Sequence, residues 1–265
     1  MSLTGSMRGF VVALCIALFA LAGCAHKNRQ LQQSSPEVLY KKAHKALNSY
    51  DYGSAIKTYE QLTARFPFTD QARQAHLDLI YAYYRAGEKE SADDAADTFI
   101  RENPTHPRVD YAHYIKGLVD FERPPNAIEK LFRVDLSQRP PSTARKSFAE
   151  FRIVVEQYPK SEYAHDALQR MIYLRNRLAN YEVHVARYYM KRGAYVAAIQ
   201  RAKGCVEQYD GAPAVHEAVA IMVEGYDRLN LTPLADKAKE VYHANYTGDV
   251  RDARADIKRS WWQIW

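Results

Sequence analysis

Two kinds of hydrophobic pattern run along this chain, and they predict different elements. Near the start, Arg8 precedes an uncharged run of 13 residues from Phe10 to Ala22. Such a run fits the core of an export signal, about 7–15 residues, and falls short of the roughly 20 needed to span a bilayer. From about Pro36 onward the apolar residues recur at helical spacing, and one self-similarity dominates. Tyr50-Asp-Tyr52-Gly-Ser-Ala55-Ile56 resembles Gly193-Ala-Tyr195-Val-Ala-Ala198-Ile199. Pro67 stands twelve positions after Ala55, and Ala92 and Pro104 repeat that spacing. Nine positions before the small residues Ala55, Ala92, Ala198 and Ala235 come Ala46, Tyr83, Tyr189 and Tyr226. Five positions before them come Tyr50, Gly87, Gly193 and Asn230, residue types that mostly suit an inter-helix turn.

A helix, a tight turn, a second helix and a proline-marked break, in units of about 34 residues, make up the tetratricopeptide pattern. The predicted fold is therefore all-α: a tetratricopeptide-repeat solenoid of five helix-turn-helix units, at 36–68, 73–105, 109–159, 161–210 and 214–246. Small residues sit where paired helices cross closely, and bulky ones fill the space between neighbouring units. Tyr83, Tyr189 and Tyr226 are accounted for by that packing. Pro67 to Pro104 is 37 residues but Pro104 to Pro159 is 55, so the third unit carries an insertion. The insertion, 122–141, is bracketed by prolines and is expected to leave the solenoid as a loop with one short helical turn at Ile128 to Phe132. No glycine or proline interrupts Lys160 to Arg192, which predicts one long helix in the fourth unit with a weak point at Ala179-Asn180. Insertion and long helix together predict two lobes, 36–121 and 142–246, after a linker at 24–35 and before a charged, Trp-rich tail at 247–265.

Composition changes this picture little. With 47% hydrophobic and 26% charged residues the chain has the make-up of a folded protein, not of a disordered tail or a collagen-like fibre. The 11 glycines and 11 prolines are too few for a turn-rich all-β fold. Net charge is +6, and it is dispersed: Arg65, Arg73 and Arg85 alternate with Glu60, Asp70, Asp78 and Glu88. No basic stripe results, and no nucleic-acid partner is expected. The nine histidines are scattered singly, with no His-Glu-x-x-His and no cysteine at zinc spacing. Nor is there a phosphate-binding glycine loop or a nucleophile elbow. A chain with no assembled chemistry is expected to be a binding protein and not an enzyme, with no cofactor and no metal.

The apolar run ends in Leu21-Ala22-Gly23-Cys24, followed by polar Ala25-His26-Lys27. Small residues before a cysteine let the backbone enter a peptidase cleft, and the thiolate can accept a diacylglyceryl group. This resembles the bacterial lipobox, which implies cleavage before a lipidated Cys24. Ala25, not aspartate, follows it, and in such lipoproteins that implies transfer to the outer membrane. Cleavage removes Cys15 and also Arg8, bringing the side-chain charge from +6 to +5. Cys205 is then the single unmodified thiol, so no intramolecular disulfide is expected.

Two surface features stand out. Lys191-Arg192-Gly193 falls at the turn between the fourth unit's helices, where Arg192 should project into solvent. There it can pair bidentately with a partner's carboxylate, or simply serve the helix C-terminus. The ending Ser260-Trp-Trp-Gln-Ile-Trp265 carries all three tryptophans and is costly in water unless it docks. It either folds back on the last repeat or meets a partner or a membrane interface.

At this level of detail the chain resembles a known family. The lipobox and five repeats, together with Gln74 to Tyr84, Phe99 to Pro107 with Asp110-Tyr111, Val134-Asp135 with Arg139, and above all Val185 to Tyr195, are similar to the BamD (ComL) family of outer-membrane assembly lipoproteins. The similarity runs from Leu21 to about Tyr246; Pro140 and the Trp-rich tail depart from the family pattern. The resemblance implies a non-enzymatic component of the machinery that folds and inserts β-barrel proteins, anchored by lipid in the outer membrane and facing the periplasm. It implies that Arg192, with Tyr189 beside it, meets the periplasmic domains of the barrel-forming subunit BamA. Phe66, with Tyr84 in the adjoining groove, would receive segments of unfolded outer-membrane proteins. A BamC-like lipoprotein would lie over the N-terminal half. A different reading of the same architecture is an outer-membrane lipoprotein that scaffolds peptidoglycan enzymes.

Overall fold

The computed structural model describes residues 35–121 and 141–250. Among them the regular elements are ten helices: α1 Pro36–Asn48, α2 Tyr52–Arg65, α3 Asp70–Ala86, α4 Lys89–Glu102, α5 Val109–Val119, α6 Ser142–Gln157, α7 Ala164–Lys191, α8 Tyr195–Gln208, α9 Ala214–Arg228 and α10 Thr232–Asn245. They form five consecutive helix pairs of the tetratricopeptide kind. Cys24, the insertion from 122 to 140 and the tail beyond Val250 lie outside the described residues.

Local backbone chemistry explains the pairing. Tyr50, Gly87, Gly193 and Asn230 all take a positive φ, between 56° and 81°. In each of these turns the backbone N–H of the next residue, Asp51, Glu88, Ala194 or Leu231, donates back to the carbonyl of Ala46, Tyr83, Tyr189 or Tyr226 at 3.0 Å. One left-handed residue thus reverses the chain and satisfies a carbonyl that the helix end leaves open. The second helix of each pair stops in an equally regular way. Phe66, Asn103, Tyr158 and Tyr209 share φ near −130° and ψ of 41–54°. Their carbonyls each accept an N–H three residues on, and in the first three a proline follows. Asp51 caps α2 by accepting from the Ser54 N–H, and Thr69 caps α3 by accepting from the Ala72 N–H.

The reference alanines mark the crossings. Ala55, Ala92, Ala198 and Ala235 are completely buried. In the third pair Ser147 takes that place, also fully buried, with its hydroxyl donating to the Gly117 carbonyl at 2.7 Å. A Cβ on Gly117 would stand 2.6 Å from the Phe151 ring, so α5 and α6 touch through glycine.

The chain divides into two compact units between His106 and Pro107. The first holds α1 to α4 around Leu39, Ala43, Tyr59, Leu62 and Leu79. The second holds α5 to α10 around Phe151, Leu174, Leu178, Val183 and Ile221. The expected border at 121/122 is thereby corrected: the Gly117–Phe151 and Ser147–Gly117 contacts bind α5 to α6, so the whole third pair belongs to the second unit. The long helix exists, at 28 residues, and continues through Ala179-Asn180, where Ala179 is fully buried. It starts at Ala164, not Lys160, because Ser161 first forms a turn: its N–H donates to the Tyr158 carbonyl and its hydroxyl accepts from the Tyr163 N–H.

Candidate partner-binding and peptide-binding surfaces

In the first unit, Phe66 closes α2. Its ring is half-buried against the unit's core, with the Arg65 guanidinium 5.0 Å above it. Its carbonyl accepts both the N–H and the hydroxyl of Thr69, so the backbone on which the ring sits is tied to the start of α3. Tyr84, on the last turn of α3, is also half-buried but stands outside the core cluster that Phe66 joins. Phe66 and Tyr84 are therefore not brought into one cluster. The more accessible aromatic is Phe68, 98% exposed in the turn after Pro67. Its signal in the sequence is Phe66-Pro67-Phe68: an apolar residue just past a proline that ends a helix has no helix face to pack on.

The first three helices of this unit are joined by a polar lock around Asp78 of α3. Tyr59 of α2, fully buried, donates to its Oδ2 at 2.8 Å and Tyr40 of α1 does so at 2.9 Å. Gln74 donates to Oδ1 at 3.1 Å. Burial first, then the Asp78 charge, pushes both phenols far above the ordinary tyrosine range, so they remain donors at every physiological pH.

In the second unit, Arg192 forms the cap of α7 and is exposed. Its guanidinium lies 5.3 Å over the ring of Tyr188, which is itself 51% exposed. No carboxylate among the described residues is paired with it. A flat cation stacked on an exposed ring is held in one orientation while its donors stay available. Tyr189 is turned differently: it is half-buried and packs against the unit's core, with Tyr188 edge-on to it at 5.7 Å. The outward pair is thus Arg192 with Tyr188, a partner that sequence reading passed over. The α7 core stripe of Leu178, Glu182, Ala186 and Met190 could have found it, since Tyr188 falls away from that stripe.

Two ion-pair sets tie α7 to its neighbours. Glu182, 7% exposed, accepts from Arg145 of α6 at 2.6 Å and from Arg201 of α8 at 3.1 Å. Arg187 of α7 makes a two-pronged pair with Glu217 of α9. Cys205 is fully buried, and burial pushes its thiol up to about 12, so it is a packing residue and not a nucleophile. Among the described residues no three metal-ligating side chains converge, and no helix is long and apolar enough to cross a membrane.

Comparison with known proteins gives a consistent outcome. The family model described as YfiO, outer membrane lipoprotein, matches residues 32–241. The outer membrane protein assembly factor BamD of Neisseria gonorrhoeae is 40% identical over 259 residues, 96% of this chain and 97% of that protein. BamD of Vibrio cholerae is 35% identical over 87% of this chain and 95% of its own length. The protein of the same name from Xylella fastidiosa strain Temecula1 is 34% identical over 89% of this chain and 81% of its own length. Among solved structures, MamA aligns over 78% of this chain and 88% of its own at 17% identity and a TM-score of 0.30.

Proposed function

This chain belongs to the YfiO family of outer membrane lipoproteins and is an outer membrane protein assembly factor of the BamD kind, and from that premise we propose that it works as a non-catalytic scaffold with two separate binding ends. The observation that carries the reading is the match to BamD over nearly the whole of both chains. The relatives' name does not favour the alternative of a scaffold for peptidoglycan enzymes.

The second unit would bind the periplasmic domains of the barrel-forming subunit BamA through Arg192. Support comes from its exposure, its stacking on Tyr188 and its lack of a paired carboxylate among the described residues. An acidic side chain on the partner would complete a charge-assisted hydrogen bond whose arginine half is already oriented. Tyr189 would act beneath it, fixing the turn through its carbonyl and core packing. The first unit would receive unfolded barrel segments around Phe66, with Phe68 as the exposed contact and Tyr84 further along α3. Such segments present alternating apolar side chains and unpaired strand edges, which an exposed aromatic can hold weakly. A BamC-like lipoprotein would bind the N-terminal half, and a lipid on Cys24, the sole attached group, would hold the scaffold on the periplasmic side of the outer membrane. Anchoring raises the effective concentration of each contact, so none needs to be tight.

The test is co-purification in mild detergent followed by a binding titration. The unmodified chain should bring down a large barrel protein, and Arg192→Glu should weaken binding to that protein's periplasmic domains at least tenfold while helicity stays unchanged. Unchanged affinity removes Arg192 from the interface; recovery of wall synthases or hydrolases alone overturns the assembly reading. Cys24→Ser should release the chain from membranes, and retention would point to another anchor.

A further inference from the structure

We propose that the open end of the last repeat is covered by the chain's own C-terminal segment, residues 251–265, which lays the apolar row Ala253, Ile257, Trp261 and Ile264 into the cleft between α9 and α10. The cleft has a volume of about 500 Å³ and is lined by Ala220, Val223, Asp227 and Arg228 of α9 and by Lys239 and His243 of α10. The chain already enters it. After α10 the backbone turns at Gly248, φ 103°, and the Asp249 carbonyl accepts from the Tyr242 hydroxyl at 3.3 Å. Val250 then packs on the unit's core, and both Asp249 and Val250 line the cleft. The last described residues of the chain thus already line the site that the segment is proposed to fill.

The repeat register places an element there. After the closing residues Phe66, Asn103, Tyr158 and Tyr209, the next helix begins at Asp70, Val109, Ala164 and Ala214, four to six positions later. The corresponding residue of the last pair is Tyr246, so a sixth first helix would begin at 250–252. Its groove, between the two helices of the preceding pair, is this cleft. The segment has the residues to use it. Ala253, Ile257, Trp261 and Ile264 are spaced four, four and three apart, the spacing of one helix face. Arg251 and Asp252 precede them, and Arg254, Asp256, Lys258 and Arg259 stand between them. Charge agrees as well: the segment carries four cations and two anions, while the cleft lining offers Glu224, Asp227 and Asp249 against Arg228 and Lys239. A repeat array needs a cap on its last groove, and a cap joined directly to that groove meets it without the entropy cost of recruiting a separate partner.

All three tryptophans of the chain, Trp261, Trp262 and Trp265, lie in the segment, so intrinsic tryptophan fluorescence reports on it alone. The measurement is made on the full mature chain carrying Cys24→Ser, without lipid. Emission should be blue-shifted from that of N-acetyltryptophanamide, and iodide quenching should be at least threefold weaker. Ile257→Asp should move emission to the red and restore quenching, with far-UV circular dichroism and the unfolding transition of the repeats retained. Asp227→Arg, on the exposed rim, should restore part of the quenching. Water-like emission and full quenching of the parent chain overturn the proposal. So does protection that appears only when phosphatidylglycerol vesicles are added, which would make the segment a membrane contact. Protection indifferent to both variants also overturns it, because the tryptophans would then be covered elsewhere.

Discussion

Asp78 in the first unit and Glu182 in the second each sit where three helices meet, yet they are held by different chemistry. Asp78 accepts from two phenols and an amide, brought from α1, α2 and its own α3. Glu182 accepts from two guanidinium groups, one on α6 and one on α8. The phenols are neutral and Tyr59 is fully buried, so the first lock is made mainly of hydrogen bonds, with the His44 ring 3.8 Å from the same carboxylate, and is less affected by salt than a pair of guanidinium groups. The second neutralises a buried charge with arginines that are 48% and 43% exposed, and so it remains open to solvent and screening. The same repeat backbone thus accepts two polar solutions. The hydrogen-bonded one ties α1 and α2 to α3, and the charged one ties α6 and α8 to α7.

The largest expected effect breaks the first lock. Asp78→Ala removes the charged acceptor of the buried Tyr59 hydroxyl, leaving it only the His44 ring at 3.4 Å, and should cost about 2–3 kcal/mol. Segment-resolved hydrogen exchange should rise across 36–86 and not across 164–208; an equal rise in both would mean that the two units do not unfold separately. The matching change in the second unit is smaller. Arg145→Ala and Arg201→Ala should each cost under about 1 kcal/mol, because the other arginine remains, while the double variant should cost about 2 kcal/mol. Additive costs in urea titrations would show that Glu182 does not share its two partners. Raising salt should weaken the parent's second unit more than its first.

A still smaller effect separates the units by pH. Burial alone would raise the Glu150 carboxyl, but the His113 hydrogen bond at 2.8 Å and the Lys116 ammonium at 3.2 Å outweigh it and hold the group below its ordinary 4.5. A depressed folded value means stability that is present above 4.5 and is lost as pH falls through the lower folded value. Acidification should therefore soften the second unit in that window, and Glu150→Gln should flatten the dependence of its melting temperature on pH; an unchanged slope would take Glu150 out of the account. The smallest effect has the opposite sign. Tyr50 holds φ 61° with an exposed side chain, a conformation that costs a β-carbon and that glycine adopts freely. Tyr50→Gly should stabilise the first unit by up to about 1 kcal/mol, and a loss of stability would show that the Tyr50–Tyr52 ring contact at 6.4 Å outweighs the strain.

Much of the fold was legible along the chain because it rests on short-range properties. A left-handed turn residue five positions before a small crossing residue is a local requirement, and Tyr50, Gly87, Gly193 and Asn230 meet it in register with four fully buried alanines. Ser147 was harder to see, since the insertion removes the turn that would have set its register. The candidate surfaces were half legible. Tyr189 is a pattern residue, and pattern residues are the ones that repeat packing buries; Phe66 came from the family resemblance alone. Their neighbours Phe68 and Tyr188, which packing leaves free, carry the exposed aromatic surface.

The sequence by itself determined the helix pairs, their turns, the long helix and the absence of assembled catalytic motifs, since each depends on residues within a few positions of one another. Tertiary structure alone decided where the chain divides, because α5 is assigned by the contacts of Gly117 with Phe151 and Ser147 across the insertion. It also decided which carboxylate became a lock. Asp78 meets Tyr40 from 38 positions away and Glu182 meets Arg145 from 37, and nothing local distinguishes them from the many acidic residues that face water. Burial selects such partners only after the helices have packed, when an unpaired charge or hydroxyl has no water left to turn to.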